Sequence, residues 1–254
     1  MWTPPPWLTL CLPILLVGLP VLLWGMFHPR SRIMGPLVYR GDPAAAGEKG
    51  RVALTFDDGP TPEATPAVLD ALARVDAKAT FFVIGLNVQR HPQLLRRIHE
   101  EGHLIANHSF LHDRQGLWGL NAFWRRQLDD TDDAVAEIIG RRPAFFRPPM
   151  GLKHMHMMKE LRYAGHVCVT WNRRALDGRR RPRPTKQNIV RRLAKSHDGD
   201  ILLLHDGHEP DLPRDRSATA DAIVALVNQL RDRGLEPVRL DRLLDLPGYQ
   251  SDEV

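Results

Sequence analysis

Asp57 and Asp58 stand side by side where the apolar run Val52, Ala53, Leu54, Phe56 stops, and Gly59-Pro60 turns the chain away. Neighbouring side chains on a strand point to opposite faces, so both acids reach one site only if the backbone curls at the strand's end. With that curl, one carboxylate can bind a metal while the other stays free to take a proton. The competing reading is a turn that merely caps a strand. His108 and His112 follow in the segment Asn107-His-Ser-Phe-Leu-His112. Imidazoles four apart meet on one side of a helical turn, which is a metal-ligand spacing, although a chain with 12 histidines produces such pairs by chance. Joined to Asp58 they make a two-histidine, one-carboxylate face with open coordination positions, a set also used by iron oxygenases.

Two further strand ends carry candidate groups. In Arg147-Pro-Pro-Met150-Gly151 a rigid turn can aim a backbone N–H into a site, and the guanidinium can hold a carboxylate in a bidentate fork. The alternative is a loop with a surface arginine. In Ile201-Leu-Leu-Leu-His205-Asp206-Gly207 a histidine sits at the mouth of a strongly apolar strand. It is either a core histidine satisfied by backbone or, opposite a metal, a donor of a proton to a leaving group.

The elements that must position these groups alternate along the chain. Strands are expected at 52–56, 79–84, 104–106, 144–147, 166–171, 200–205 and 236–240. Helices are expected at 65–75, with Thr65 as cap and Pro66 in the first turn, and at 91–101, 119–140, 153–164, 185–196 and 218–233. Ile223, Val224, Val227 and Leu230 form one stripe of the last helix. Strands separated by helices imply an α/β fold with a parallel sheet, closed as a barrel or open and doubly wound. The Arg/Pro run 179–184 reads as a loop.

The chain has 254 residues, 43% hydrophobic and 26% charged, enough for one large α/β domain or two small ones and unlike a disordered polymer. Its formal charge of +5 favours anionic neighbours. Its basic residues lack the interleaved aromatics of a nucleic-acid surface, so no nucleic acid partner is expected. Cys11 and Cys168 lie too differently for an intradomain disulfide. From Trp7 to Phe27 no residue is charged, which predicts one uncleaved N-terminal transmembrane helix with Pro13 and Pro20 as kinks. We divide the chain into an anchor at 1–28, a linker at 29–50, a catalytic domain at 51–246 and a tail at 247–254. Arg30, Arg32 and Arg40 follow the apolar segment, which by itself would keep the domain in the cytoplasm.

In this order the segments resemble the polysaccharide deacetylase family, the NodB-like domain of carbohydrate esterase family 4. The resemblance spans roughly Val52 to Leu244. It rests on Thr55-Phe-Asp-Asp-Gly-Pro60, His108-Ser-x-x-His112, Arg147-x-Pro-x-Gly151 and Leu203-Leu-His205. It implies a distorted (β/α) barrel of about seven parallel strands and hydrolytic removal of N-acetyl groups from an amino sugar or polysaccharide. Position by position it implies that Asp58, His108 and His112 bind a divalent metal, usually zinc, and that Asp57 is the base. It also implies that Met150 supplies an oxyanion N–H, that His205 is the acid and that Arg147 orients Asp57. The family resemblance argues for the outer face, where cell-wall and exopolysaccharide substrates lie, against the charge bias just noted, and we expect the outer face.

Two departures stand out. Met150 replaces the family's usual aromatic residue, and the fourth motif, usually Trp-x-x-Asp-x-x-Asp-Trp, reads Trp171-Asn-Arg-Arg174-Ala-Leu-Asp177-Gly178. Asp177 is left to support the histidine acid, whereas a cationic Arg174 beside His205 would lower its pKa. Arg173, Arg174, Arg179, Arg180, Arg181 and Arg183 cluster where the pocket should open, which predicts an anionic, lipid-linked or phosphorylated amino sugar as substrate. The alternatives carried forward are hydrolysis of another amide, formyl or longer acyl, and a degenerate carbohydrate-binding domain.

Overall fold

The computed structural model describes residues 14–113, 116, 118–179 and 181–251. Strand β1 (Gly50–Asp57) is the centre of the sheet because Val52 to Phe56 are fully buried on both faces, as a near-continuous apolar run requires. Around it lie β2 (Thr80–Val83), β3 (Leu104–Asn107), β4 (Phe145–Phe146), β5 (Val167–Cys168), β6 (Arg173–Arg174), β7 (Ile201–His205) and β8 (Leu235–Val238). All pairings are parallel, in the order β5-β4-β3-β2-β1-β7-β6, with β8 beside the first half of β1. The sheet curls into a partial barrel of the expected class. Residues 38–41 lie along its seam. Val38 exchanges backbone bonds of 2.9 and 2.8 Å with Cys168 and Thr170, and Gly41 donates to Gly199 at 2.8 Å. These residues, assigned to the linker from sequence, therefore hydrogen-bond to the domain.

Strand alternation divides the core in two. Val52, Leu54, Phe56, Phe81, Val83, Leu202 and Leu204 face the surrounding helices, and the Phe56 and Phe81 rings stack 5.2 Å apart. Ala53, Phe82, Leu104, Ala106, Ile201 and Leu203 fill the interior. The outer layer is α2 (Thr65–Ala73), α3 (Gly85–Arg90), α4 (Pro92–Glu100), α5 (Asn121–Ile139), α6 (Met155–Tyr163), α7 (Lys186–Leu193) and α8 (Ser217–Asp232). A short α9 (Leu240–Leu244) follows β8. Helix α8 buries Ile223, Leu226, Val227 and Leu230, so Leu226 takes the place foreseen for Val224. Gly140, at φ 70°, ends α5 in the left-handed conformation that favours glycine.

Several expectations are corrected. The two-residue β6 and the helices α3 and α9 were not foreseen; each is too short for a hydrophobic period to show. Thr65 does not cap α2. Its hydroxyl donates to Asp206 Oδ2 at 2.7 Å and accepts from the Thr61 N–H at 2.8 Å, so a tertiary contact has claimed the capping group. Of the apolar N-terminus, residues 1–13, including Cys11 and Pro13, lie outside the described residues. The remainder forms a π-helical turn, Ile14–Gly18, and α1 (Leu19–Phe27), with Pro20 in the first turn of α1, where its missing N–H costs no helical bond. Among the described residues no helix is long and apolar enough to cross a membrane, so the expected transmembrane helix is not found there. Cys168 is a free, buried thiol, and Arg179, Arg181, Pro182, Arg183 and Pro184 belong to a loop.

Candidate active site

The parity of the strands decides which side chains meet. On β1, Ala53, Thr55 and Asp57 share the inward face; on β7, Ile201, Leu203 and His205 do, and Asp57 is in register with His205. Both polar groups thus arrive side by side at the C-terminal mouth of the barrel, on adjoining strands. Asp58 joins them because its φ of 75° reverses the chain direction, which is the curl that two adjacent acids required. The turn is held from behind. Asn87 Nδ2 donates to the Asp58 carbonyl at 2.8 Å, and a Cβ on Gly207 would lie 2.4 Å from the same oxygen, so only glycine fits there.

His108 and His112 complete a triad with Asp58. Their Nε2 atoms lie 3.6 and 3.5 Å from Asp58 Oδ1, and one donor atom from each residue falls within 4.8 Å of the others. The segment between the histidines is not the helical turn on which a four-residue spacing would bring them together. Ser109 and His112 take left-handed φ values of 69° and 52° instead, so a compact loop brings the rings to 5.0 Å. His108 Nδ1 donates to the Arg147 carbonyl at 2.8 Å, because a carbonyl can only accept, which leaves the Nε2 lone pair facing the triad. Burial pushes His108 down to about 4, so the ring is a neutral donor. Burial would raise Asp58, but the fields of His112, His205, His108 and Arg216 hold it well below the ordinary carboxylate range. Two imidazoles and an ionised carboxylate, all buried, fit a divalent cation, and the mixed nitrogen and oxygen set does not select one metal.

Arg147 is 0% exposed, which excludes the surface-arginine reading. Its Nη1 donates to Asp57 Oδ1 and Thr55 Oγ1, both at 2.7 Å, while Nη2 reaches the Thr170 carbonyl at 3.2 Å and the Phe82 ring lies 3.9 Å below. The contact to Asp57 is single rather than the bidentate fork expected, because the other nitrogens serve backbone. Asp57 Oδ2 remains turned to the triad, 3.7 Å from His108 Nε2.

On the adjoining strand, His205 Nδ1 bonds Asp177 Oδ1 at 2.9 Å, and Asp177 Oδ2 accepts from the His205 N–H and the Thr219 hydroxyl. Burial lowers the His205 pKa, but the Asp177 charge and hydrogen bond outweigh it and the net shift is upward. The lowering foreseen from Arg174 therefore does not occur. Arg174 is exposed at the rim, and Asp177 has taken the supporting place. Of the arginine cluster, Arg173 turns away to Asp200 at 3.1 Å and Arg180 lies outside the described residues; Arg174 and Arg179 line the cavity. The cavity holds about 300 Å³ and is closed by Met150, Gly151, Trp171 and Leu203.

Several contributors escaped the sequence reading. Arg216 is buried and bridges the two halves, with Nε on the Gly207 carbonyl at 2.7 Å, Nη1 on the Asp177 carbonyl at 3.0 Å and Nη2 facing Asp58 Oδ2 at 3.5 Å. Its only signal is a place in a loop that follows a barrel strand. Behind the histidines, Asn107 Oδ1 accepts from the Ser109 N–H at 2.8 Å, and Nδ2 donates to Asp132 Oδ1 at 2.8 Å; Asp132 Oδ2 in turn bonds His166 at 2.8 Å. We expect Asn107→Ala to cost about 1–3 kcal/mol by stranding these partners. Divalent-metal affinity should fall roughly 10–100-fold, as when a support behind ligands is lost. Denaturant unfolding and zinc titration measure the two, and unchanged zinc affinity would contradict the supporting role. Asp206, beneath the turn, is pushed up to about 7 by burial and by the Asp58 and Asp57 charges, against its Thr65 bond.

Known proteins are similar to this chain in sequence and fold. The family model described as polysaccharide deacetylase matches residues 44–169. A peptidoglycan-N-acetylglucosamine deacetylase of Bacillus cereus is 37% identical over 196 residues, covering 76% of this chain and 87% of that protein. The chain belongs to the polysaccharide deacetylase family. A chitooligosaccharide deacetylase of Rhizobium leguminosarum bv. trifolii is 34% identical over 197 residues, 75% of this chain and 90% of the other. A crystal structure of a peptidoglycan N-acetylglucosamine deacetylase superposes with a TM-score of 0.74 at 30% identity, covering 84% of this chain and 95% of that one. As a polysaccharide deacetylase the protein is a metal-dependent enzyme, and Asp58, His108 and His112 form a site suited to the metal.

Proposed function

We propose that the enzyme hydrolyses the N-acetyl amide of an amino sugar in a glycan, giving acetate and a free amine. The observation that carries this reading is the placing of Asp57 Oδ2 beside the triad but outside it, with His205 in register on the adjoining strand and lining the same cavity. A divalent cation at Asp58, His108 and His112, zinc in our reading, supplies Lewis-acid polarisation of the acyl carbonyl and a lowered water pKa. Asp57 Oδ2 takes a proton from the attacking water, while Arg147 fixes Oδ1 and leaves the other oxygen free. As the water oxygen bonds to the acyl carbon, the Met150 N–H donates to the carbonyl oxygen that gains charge. The C–N bond then breaks, and His205 gives its Nε2 proton to the departing nitrogen while Asp177 holds Nδ1.

The relatives named for peptidoglycan and chitooligosaccharide support a glycan that contains N-acetylglucosamine. Incubation with N-acetylated chitooligosaccharide and peptidoglycan fragments, with the released acid identified by mass spectrometry, tests the reading. Acetate is expected; formate or a longer acid in its place would assign another amide. For location we propose a membrane-attached domain, supported by the uncharged stretch from Trp7 to Phe27, on the outer face, supported by the relatives named for the cell-wall glycan peptidoglycan and against the arginines that follow the stretch. Protease added to intact cells should then degrade the domain, and full protection would place it inside.

A further inference from the structure

The catalytic cavity opens sideways into a second hollow of about 300 Å³ that shares Asp177, Gly178, Arg179, Arg214 and Arg216 with it and reaches Ser217 at the start of α8. Gly178 keeps the passage open, since a Cβ there would stand 3.2 Å from His205 Cε1. The arginines around this passage are used differently. Arg216 is committed to Gly207, Asp177 and Asp58, and Arg173 to Asp200. The guanidinium groups of Arg174, Arg179 and Arg214 make no hydrogen bond or ion pair among the described residues, although all three line the catalytic cavity. The neighbouring acids are already engaged. Asp177 serves His205 and Thr219; Asp215 accepts the Ser217 N–H at 2.9 Å with the Arg183 charge nearby.

These three like charges line one mouth with no carboxylate in direct contact among the described residues, Glu209 of the same lining standing 3.9 Å from His112 Nδ1, and an anion entering between them relieves their mutual repulsion. Guanidinium groups also offer the paired N–H donors that match anionic oxygens. We propose that Arg174, Arg179 and Arg214 form a subsite for an anionic oxygen group, phosphate or carboxylate, carried on the glycan next to the sugar that loses its acetyl group. The inference rests on the deacetylase reading for the adjoining reaction. It selects a charged glycan over a neutral one and assigns that choice to three residues that take no part in the chemistry.

The test is calorimetric titration of zinc-loaded Asp57→Asn protein, in which substrate should persist. The probes are neutral N-acetylated chitotriose and the same trisaccharide bearing either one phosphate monoester or one carboxymethyl ether. A charged probe should bind about tenfold more tightly than the neutral one, the increment expected of one or two charge-assisted contacts. That preference should shrink with added salt, and it should approach one in the triple variant Arg174→Gln, Arg179→Gln, Arg214→Gln. Arg126→Gln, an exposed change on α5 away from both hollows, should leave the preference in place and control for net charge. The arm that gains more tells phosphate from carboxylate. Equal affinity for all three probes, or a preference that survives the triple change, would overturn the subsite. Wild-type enzyme that releases no acetate from any probe, with the arginine-dependent preference intact, would reject the deacetylase reading and leave the subsite standing.

Discussion

Asp57→Asn should reduce acetate release by about 100- to 10,000-fold, the share of rate that a positioned general base supplies. Asparagine keeps the volume, and its carbonyl oxygen can still accept from Arg147 Nη1, now 2.7 Å from Asp57 Oδ1. What it loses is the second oxygen's ability to take a proton. Because Asp58, His108 and His112 are untouched, stoichiometric cation binding should persist. Activity and binding must therefore separate in this variant. A parallel loss of both would mean that Asp57 is a ligand, and near-normal turnover would remove it from the reaction.

The second large effect concerns pH. His205 must carry a proton to serve as acid, and its pKa is raised because the Asp177 charge and hydrogen bond outweigh burial. The alkaline limb of kcat/KM should accordingly lie above the ordinary histidine value of 6.5. In Asp177→Asn the amide oxygen can still accept Nδ1–H and hold the ring, but the charge is gone, so burial and Arg216 dominate. The limb should move to lower pH. At neutral pH the rate should fall by about 100-fold or more as the protonated fraction and its orientation both suffer. A pH–rate profile of the two proteins decides: a lower plateau with an unmoved limb would assign Asp177 a purely structural role.

The proposed catalytic groups were legible because their positions follow from strand ends and strand parity. Asp57 and His205 end two near-continuous apolar runs that read as buried strands, and strand alternation puts the two, in register, on one face. The need for a curl at Asp58 was legible for the same reason. The loop conformation between His108 and His112 was not, since a four-residue spacing suits a helical turn equally well. Arg216 and Asn107 were hidden because their partners lie 158 and 25 residues away, and local sequence carries no trace of such contacts. The short β6 left no periodic signal, yet it is the element that carries Arg174 to the rim. The arginine cluster was visible as composition; which of its members face the cavity depends on tertiary packing alone, as Arg173 and Arg174 demonstrate by turning opposite ways.

The central claim is that the buried Asp58, His108 and His112 triad holds a cation without which the amide is not cleaved. Acetate release from N-acetylated chitooligosaccharide by metal-free enzyme, titrated with zinc, tests it most directly. The account predicts negligible release at the start, a linear rise to saturation at one zinc per chain, and no rise in His108→Ala. Full release by the metal-free protein, or zinc-dependent release that survives His108→Ala, would contradict it.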